Sequence, residues 1–388
     1  GRQVLFDRLF HRFVRHIPAD FDCFCQSQAD WLEDHALFCA LSERYGKRFF
    51  LWPSSLRQRE PSALERAAVQ MERRVLYHKM LQYFLDHQWR ALRAYANDRG
   101  VYLIGDLPIY VAPCSADVWA APELFMLSPS GAPSRLAGCP PDAFSPTGQL
   151  WGNPLYDWDA MAQNGYAWWV RRIRHMCSIY DVVRIDHFRG FAGYYAIPYG
   201  NKTAEGGRWR TGPGYALFAA IKKKLGEPRI IAEDLGFLTD DVNALLRKCG
   251  YPGMKVLEFG FDSRDGGDYR PHGYPVNSIA YVGTHDNEPV NGWMATAAPE
   301  DVARAVRYLN LTKQEGYHWG MMRGIWASAA ELSIVQAQDL LGLGHEARMN
   351  TPSTLGGNWC WRAKRGAFND RLAVKLHDLT ELYGRLPD

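Results

Sequence analysis

Tyr180-Asp-Val-Val-Arg-Ile-Asp186 is a short apolar run that ends in a carboxylate. Three more segments have the same form: Val101-Tyr-Leu-Ile-Gly-Asp106, Arg229-Ile-Ile-Ala-Glu-Asp234 and Ile279-Ala-Tyr-Val-Gly-Thr-His-Asp286. Met254-Lys-Val-Leu-Glu-Phe259 reads as a further buried strand. Strands covered on both faces are written as near-continuous apolar runs. Helix-like stretches follow at 215–225, 240–248 and 300–309. Strand then helix, repeated, predicts an α/β protein with parallel strands and crossover helices. A (β/α)8 TIM barrel is the architecture in which polar residues at the C-terminal strand ends are catalytic. The intervals between Asp106, Asp186, Glu233 and Asp286 are 80, 47 and 53 residues. At roughly 30 residues per barrel unit, each interval holds one unit with an excursion, or two units.

Outward from these strands, the chain has 388 residues and 45 Lys and Arg against 42 Asp and Glu, a net charge of +3. Mixed signs near balance argue against a nucleic-acid or membrane-surface partner. No run of about 18 apolar residues exists, so no membrane span is expected; the longest candidate, 101–112, is broken by Asp106 and Pro108. The eight cysteines form no C-x-x-C pair and no zinc spacing, and read as buried or free thiols in a reducing, cytoplasmic compartment. No secretory leader is read, and the first residue is Gly1, which points to a processed or cut chain. There are 14 Trp, several beside Gly, Asn and Asp instead of in apolar runs, a pattern suited to a cleft for flat, hydroxylated rings.

Residues 1–100 read as a helical segment packed on or inserted in the barrel, and 101–388 as the catalytic barrel portion. The apolar spacing predicts a helix over 27–45, capped by Ser27 or Asp30 and ended by Gly46. It predicts another over 61–97, with Pro61 at its first position and Gly100 closing it. The stretch 119–158, rich in Pro, Gly, Ser and Trp, shows no period and reads as a long ordered loop over the barrel mouth.

The strand-end carboxylates suggest acid–base or covalent work on one substrate. Retaining glycoside cleavage uses two carboxyl groups about 5 to 5.5 Å apart, one nucleophilic and one protonated. Arg184 and Asp186 lie two apart on a strand and share a face. The guanidinium would hold Asp186 ionised, ready as a nucleophile. Glu233 follows Ile230-Ile-Ala, a setting that raises a carboxyl toward general-acid duty. Asp286, with His285, could fix sugar hydroxyls. The plain alternative is that these acids cap helices or form ion pairs beyond the strand ends. Metal is the rival use of Asp186-His187 and His285-Asp286, but there is no H-x-H or H-E-x-x-H, and strand neighbours point to opposite faces. Nucleotide-binding glycine motifs are absent, and Asp265-Gly-Gly-Asp268 reads as a turn.

These residues sit in a longer ordered series of motifs. They run Trp31-Leu-Glu-Asp-His-Ala-Leu-Phe38, Gly105-Asp-Leu-Pro-Ile-Tyr-Val111, Ser115-Ala-Asp-Val-Trp119 and Phe144-Ser-Pro-Thr-Gly-Gln-Leu-Trp-Gly-Asn-Pro-Leu-Tyr156. Val183-Arg-Ile-Asp-His-Phe-Arg-Gly-Phe191, Ala232-Glu-Asp-Leu-Gly236, Pro252-Gly-Met-Lys-Val256, Gly283-Thr-His-Asp-Asn287 and Gly356-Gly-Asn-Trp359 follow. The series resembles the 4-α-glucanotransferases of the amylomaltase or disproportionating-enzyme type, glycoside hydrolase family 77. The resemblance implies a (β/α)8 barrel with loop and helical insertions, with no metal and no organic cofactor. It implies Asp186 as nucleophile, Glu233 as general acid/base and Asp286 as transition-state stabiliser. It puts Arg184, His285 and Asp106 in the cleavage subsite, Gln149 and Trp151 on a loop covering the glucan, and Asn350 and Asp234 at the substrate. The implied partners are α-1,4-glucans and malto-oligosaccharides, and the implied reaction is disproportionation through a covalent glycosyl-Asp intermediate.

The sequence departs from that family at Cys114, where an acid is usual, at Glu288-Pro289 in place of Asp-Thr, and at Phe125-Met-Leu-Ser128, where Asp usually ends the pattern. Family members also carry further residues ahead of this chain's start, so the expectation is a barrel lacking its first strands here. Two alternatives follow: an α-glucan hydrolase with the same triad, or an inactive, truncated glucan-binding remnant.

Overall fold

The computed structural model describes residues 2–141, 145–236, 238–264, 269–352 and 354–387. The Asp265–Asp268 turn and the start of the Phe144 motif lie outside them. By its internal packing the chain divides into Gly1–Arg229 and Ile230–Asp388, a boundary that falls within the portion read above as one barrel segment.

In the first unit, helices Arg2–Phe13, Phe21–Ser27, Leu32–Tyr45, Pro61–Gln70 and Glu72–Asn97 make the front. Phe10, Phe13, Phe21, Phe24, Leu32, Tyr77, Met80 and Tyr83 form its apolar core, with aromatic rings edge to face. The helix predicted over 27–45 starts at Leu32. The chain first turns at 28–31, where the Trp31 indole donates to Gln28 (2.9 Å), so neither Ser27 nor Asp30 caps it. The helix predicted over 61–97 is two helices, broken at Met71; the break lets both pack on Leu32–Tyr45. Pro61 does open the first of them.

The strands of this unit are β1 (Ile104–Leu107), β2 (Arg135–Cys139), β3 (Gln149–Pro154), β4 (Val182–Ile185), β5 (Gly193–Pro198) and β6 (Arg208–Thr211). β1 and β4 are parallel, with Asp106 opposite Arg184 and Leu107 opposite Ile185. Asp181 fastens both to the helical front. It accepts from Arg93 (2.7 and 2.9 Å), Asn97 (3.0 Å) and the Leu103 N–H (2.7 Å). Burial pushes this carboxyl up, and those donors outweigh it and hold the group below its usual range. The stretch 119–158 is not structureless: it contributes β2 and β3 to an antiparallel sheet ordered β3-β2-β5-β6. A register shift between Leu136 and Gly138, and short half-exposed strands, erase the alternation that would announce a sheet. All four residues of the outer strand β6 are exposed.

The second unit has β7 (Ile230–Ala232), β8 (Gly253–Val256), β9 (Ser278–Tyr281) and β10 (Leu332–Ile334). β8, β9 and β10 are parallel, and the Ala232 N–H donates to Pro252 O beside β8 (3.0 Å). Helix Asp240–Cys249 links β7 to β8, and helices Val290–Thr296, Pro299–Leu309 and Tyr317–Trp326 lie between β9 and β10. Leu257, Phe261, Ala280, Val282, Trp319, Met321 and Met322 lie in the core of this unit. The strand predicted over 254–259 stops at Val256. The chain then tightens into a 3-10 turn, Leu257–Phe261, with the Glu258 N–H held by Val282 O (3.2 Å).

Candidate active site

The first unit assembles one group of functional side chains at the ends of β1 and β4. Because strand side chains alternate, Arg184 and Asp186 project together, and the parallel register brings Asp106 across to them. Arg184 is 8% exposed, so its charge needs partners. It donates from Nη1 to Asp106 Oδ1 (2.6 Å) and to Asp186 Oδ1 (3.1 Å). Both carboxylates remain nearly half exposed, Asp186 at 44% and Asp106 at 43%, so each faces outward while tethered. Charge-assisted bonds of this kind fix direction as well as charge.

The antiparallel sheet brings Trp151 to the same place. Its ring meets His187 edge-on at 4.8 Å, one residue from Asp186, and its Nε1 donates to Gln149 Oε1 (3.0 Å). Asn153 ties the strand to Val111 O (2.9 Å). His187 has a left-handed backbone (φ 52°). Burial, with the nearby Arg189 charge, pushes its imidazole down to about 3, so it is neutral at physiological pH. The sequence offered His187 only as half of a metal pair.

The second unit assembles the other group. Glu233 leaves β7 partly buried, and its Oε1 accepts the Leu235 N–H (2.7 Å). After β9, Asn287 Oδ1 accepts from the Thr284 N–H (2.9 Å) and hydroxyl (2.8 Å), closing a turn that projects His285 and Asp286. Asn350 donates to Asp286 Oδ1 (2.6 Å), and His285 Nε2 stands 3.5 Å from Asp286 Oδ2. Asp234 departs from the role the resemblance implies. It is 3% exposed, accepts the Met254 N–H (2.6 Å), and packs where a Cβ on Gly253 would stand, leaving almost no surface for a ligand. Burial pushes its carboxyl up, with Lys255 opposing.

Two residues here escaped the sequence reading. Arg348 donates to the Asp286 carbonyl (2.7 Å), the Asn350 carbonyl (3.0 Å) and Glu288 Oε1 (2.6 Å). Glu288 also meets His345 Nδ1 (2.9 Å). Glu288 had registered only as a departure; an Arg two residues from Asn350, echoing Arg184 and Asp186, was the available signal. Beneath the turn lie Glu258 and Asp339. Burial, then the charges of Asp339 and Glu288, drives the Glu258 carboxyl far up; burial lifts Asp339 to about 7 against the Val290 N–H it accepts. Gly283 sits in this crowding: a Cβ there would stand 3.1 Å from Glu258 Oε1, Gln336 Nε2 and Asn287 Cβ, so these neighbours would have to give by a few tenths of an ångström. Among the described residues no three His, Cys, Asp or Glu side chains are grouped to hold a metal ion.

Carboxylates at parallel strand ends, with an arginine clasp and a neighbouring indole, are the arrangement of an enzyme that does acid–base or covalent work. The chain belongs to the 4-alpha-glucanotransferase family, whose model matches residues 2–368. It is 46% identical over 370 residues to the 4-alpha-glucanotransferase of Clostridium butyricum, covering 94% of this chain and 76% of that one. It is 47% identical over 391 residues to the Streptococcus pneumoniae (serotype 4) enzyme of the same name, covering 100% and 77%. The structure of amylomaltase from Streptococcus agalactiae in complex with acarbose matches with a TM-score of 0.95 at 39% identity, covering 100% of this chain and 79% of that one. The fold is thus the α/β fold of a (β/α)8-barrel family with insertions, and the chain is an enzyme that transfers α-glucan segments. Among the described residues no helix is long and apolar enough to cross a membrane.

Proposed function

We propose that the chain transfers α-1,4-glucan segments by double displacement with Asp186 as nucleophile, Glu233 as general acid/base and Asp286 as transition-state stabiliser. Asp186 attacks the anomeric carbon, the bond to the leaving oxygen breaks, and the proton on Glu233 goes to that oxygen. The 4-hydroxyl of an acceptor glucan then returns a proton to Glu233 while its oxygen displaces Asp186, so configuration is retained. Asp106, Arg184, Gln149, Trp151, His285 and Asn350 line the glucan, and Asp234 supports Glu233 from below by holding β8. Trp151 limits attack by water on the intermediate.

The observation that carries this reading is the Arg184 clasp, which aims two half-exposed carboxylates outward from adjacent strand ends. The acarbose in the Streptococcus agalactiae amylomaltase supports malto-oligosaccharides as ligands. The eight cysteines are exposed or half-buried, which suits a reducing cytoplasm.

A glycosyl fluoride tests the reading, because its departure needs no acid. Glu233→Gln treated with α-maltosyl fluoride should accumulate one maltosyl unit on Asp186, located by peptide mass mapping. Asp186→Asn should lose transfer from maltotriose by about 10³-fold or more. An adduct on another residue, or an active Asp186→Asn protein, defeats the assignment.

A further inference from the structure

The family motif ending in Trp359 received no role above, yet its tryptophan combines three properties. It is 61% exposed, so it contributes little to the core. Its φ is +59°, a left-handed conformation that bulky residues rarely adopt. Its ring lies 5.1 Å from that of His285.

The strain is imposed by local bonds. The Trp359 N–H donates to Met349 O (2.7 Å), the Thr351 N–H donates to Asn358 Oδ1 (3.0 Å), and Asn358 Nδ2 donates to Thr354 Oγ1 (3.1 Å). Gly356 and Gly357 precede it at φ 81° and 76°. The neighbouring strip is fastened to the functional turn: the Asn350 N–H donates to His285 O (3.1 Å), and the Asn350 side chain donates to Asp286. The bonds therefore return an exposed indole to His285 at the expense of backbone strain. An isolated surface tryptophan needs no explanation. A strained one held beside proposed substrate-binding groups has one in function.

We propose that Trp359 is a stacking platform for a glucose unit of the α-1,4-glucan, next to the unit held by His285 and Asp286. The apolar C–H face of a pyranose covers the indole, and its rim hydroxyls stay in water. This rests on the placing of His285 and Asp286 in the cleavage subsite.

Trp359→Gly is the decisive variant, because glycine accepts the left-handed backbone without strain. The melting temperature should hold or rise. The Kd for maltotetraose by calorimetry, read in the Asp186→Asn background where no turnover occurs, and the KM for maltotriose disproportionation in the otherwise native chain, should rise about tenfold, with kcat changing less. Trp359→Phe should fall between. A structural role would instead move the melting temperature and spare the Kd. An unchanged Kd and KM in Trp359→Gly, or no detectable binding of maltotetraose to the Asp186→Asn chain with Trp359 intact, overturns the platform. Asp186→Asn assayed in parallel keeps the two readings apart, since activity there overturns the catalytic assignment alone.

Discussion

Arg184 and Arg348 each serve a proposed catalytic aspartate, and they do it differently. Arg184 rises from a strand and binds the Asp186 side chain itself, sharing one nitrogen between Asp186 and Asp106. Arg348 comes from a loop and binds the main-chain carbonyls of Asp286 and Asn350, with Glu288 as its counter-charge. The first arginine acts on the direction and charge of a reacting group. The second acts on the shape of the turn that carries one, while Asn350 takes the direct contact. A nucleophile must be aimed along one line, whereas a stabilising carboxylate tolerates a looser hold provided its turn is rigid.

The strongest way to break this contrast is Arg184→Lys. An ammonium on the shorter, more flexible lysine stem does not hold the Nη1 position between the two carboxylates, and misaiming of the nucleophile should lower kcat by about 10²-fold. Glucose release from maltotriose measures it; a loss below threefold would remove the clasp from the mechanism. Arg348→Lys should cost less, about tenfold in kcat, because Asn350 still holds Asp286. Glu288→Gln should reproduce part of that loss. If Arg348→Lys proved worse than Arg184→Lys, the ranking of side-chain over main-chain support would be reversed.

The smallest effect sharpens the comparison from beneath the Asp286 turn. Asp339 binds its proton up to about pH 7 when folded, against 3.8 for an ordinary aspartate. The folded state therefore binds more protons between those values, and stability falls as pH rises through that window. Asp339→Asn removes that slope and can keep the Val290 bond through its amide oxygen. Its melting temperature should gain on the native protein by a few degrees more at pH 8 than at pH 5. An equal shift at both values would mean that the buried proton does not matter.

The parallel strands were legible because burial on both faces leaves continuous apolar runs, and their acidic ends stand out against them. That Arg184 and Asp186 share a face followed from alternation, whereas Asp106 meets them through the β1–β4 register. The β2 and β3 strands did not, since Gly138 and Gly152 interrupt a short half-exposed pattern in which loop and edge strand look the same. Arg348 was hidden for a different reason: two of its three partners are carbonyls, which every residue has. Asp234 entered through the resemblance alone; sequence does not tell which of two neighbouring carboxyls turns inward, and here the Met254 N–H draws Asp234 in. The Met71 break depends on how two helices share a third, which no single-helix periodicity encodes.

The outermost strand of the sheet that presents Trp151 carries Arg208 and Arg210 on an exposed border. Unpaired strand borders invite another copy to add on, and like charges set against each other along that border repel it. The cover over the proposed nucleophile is thereby guarded against fibre-like stacking, and an Arg208→Val, Arg210→Val pair would turn a solvated margin into a template for aggregation.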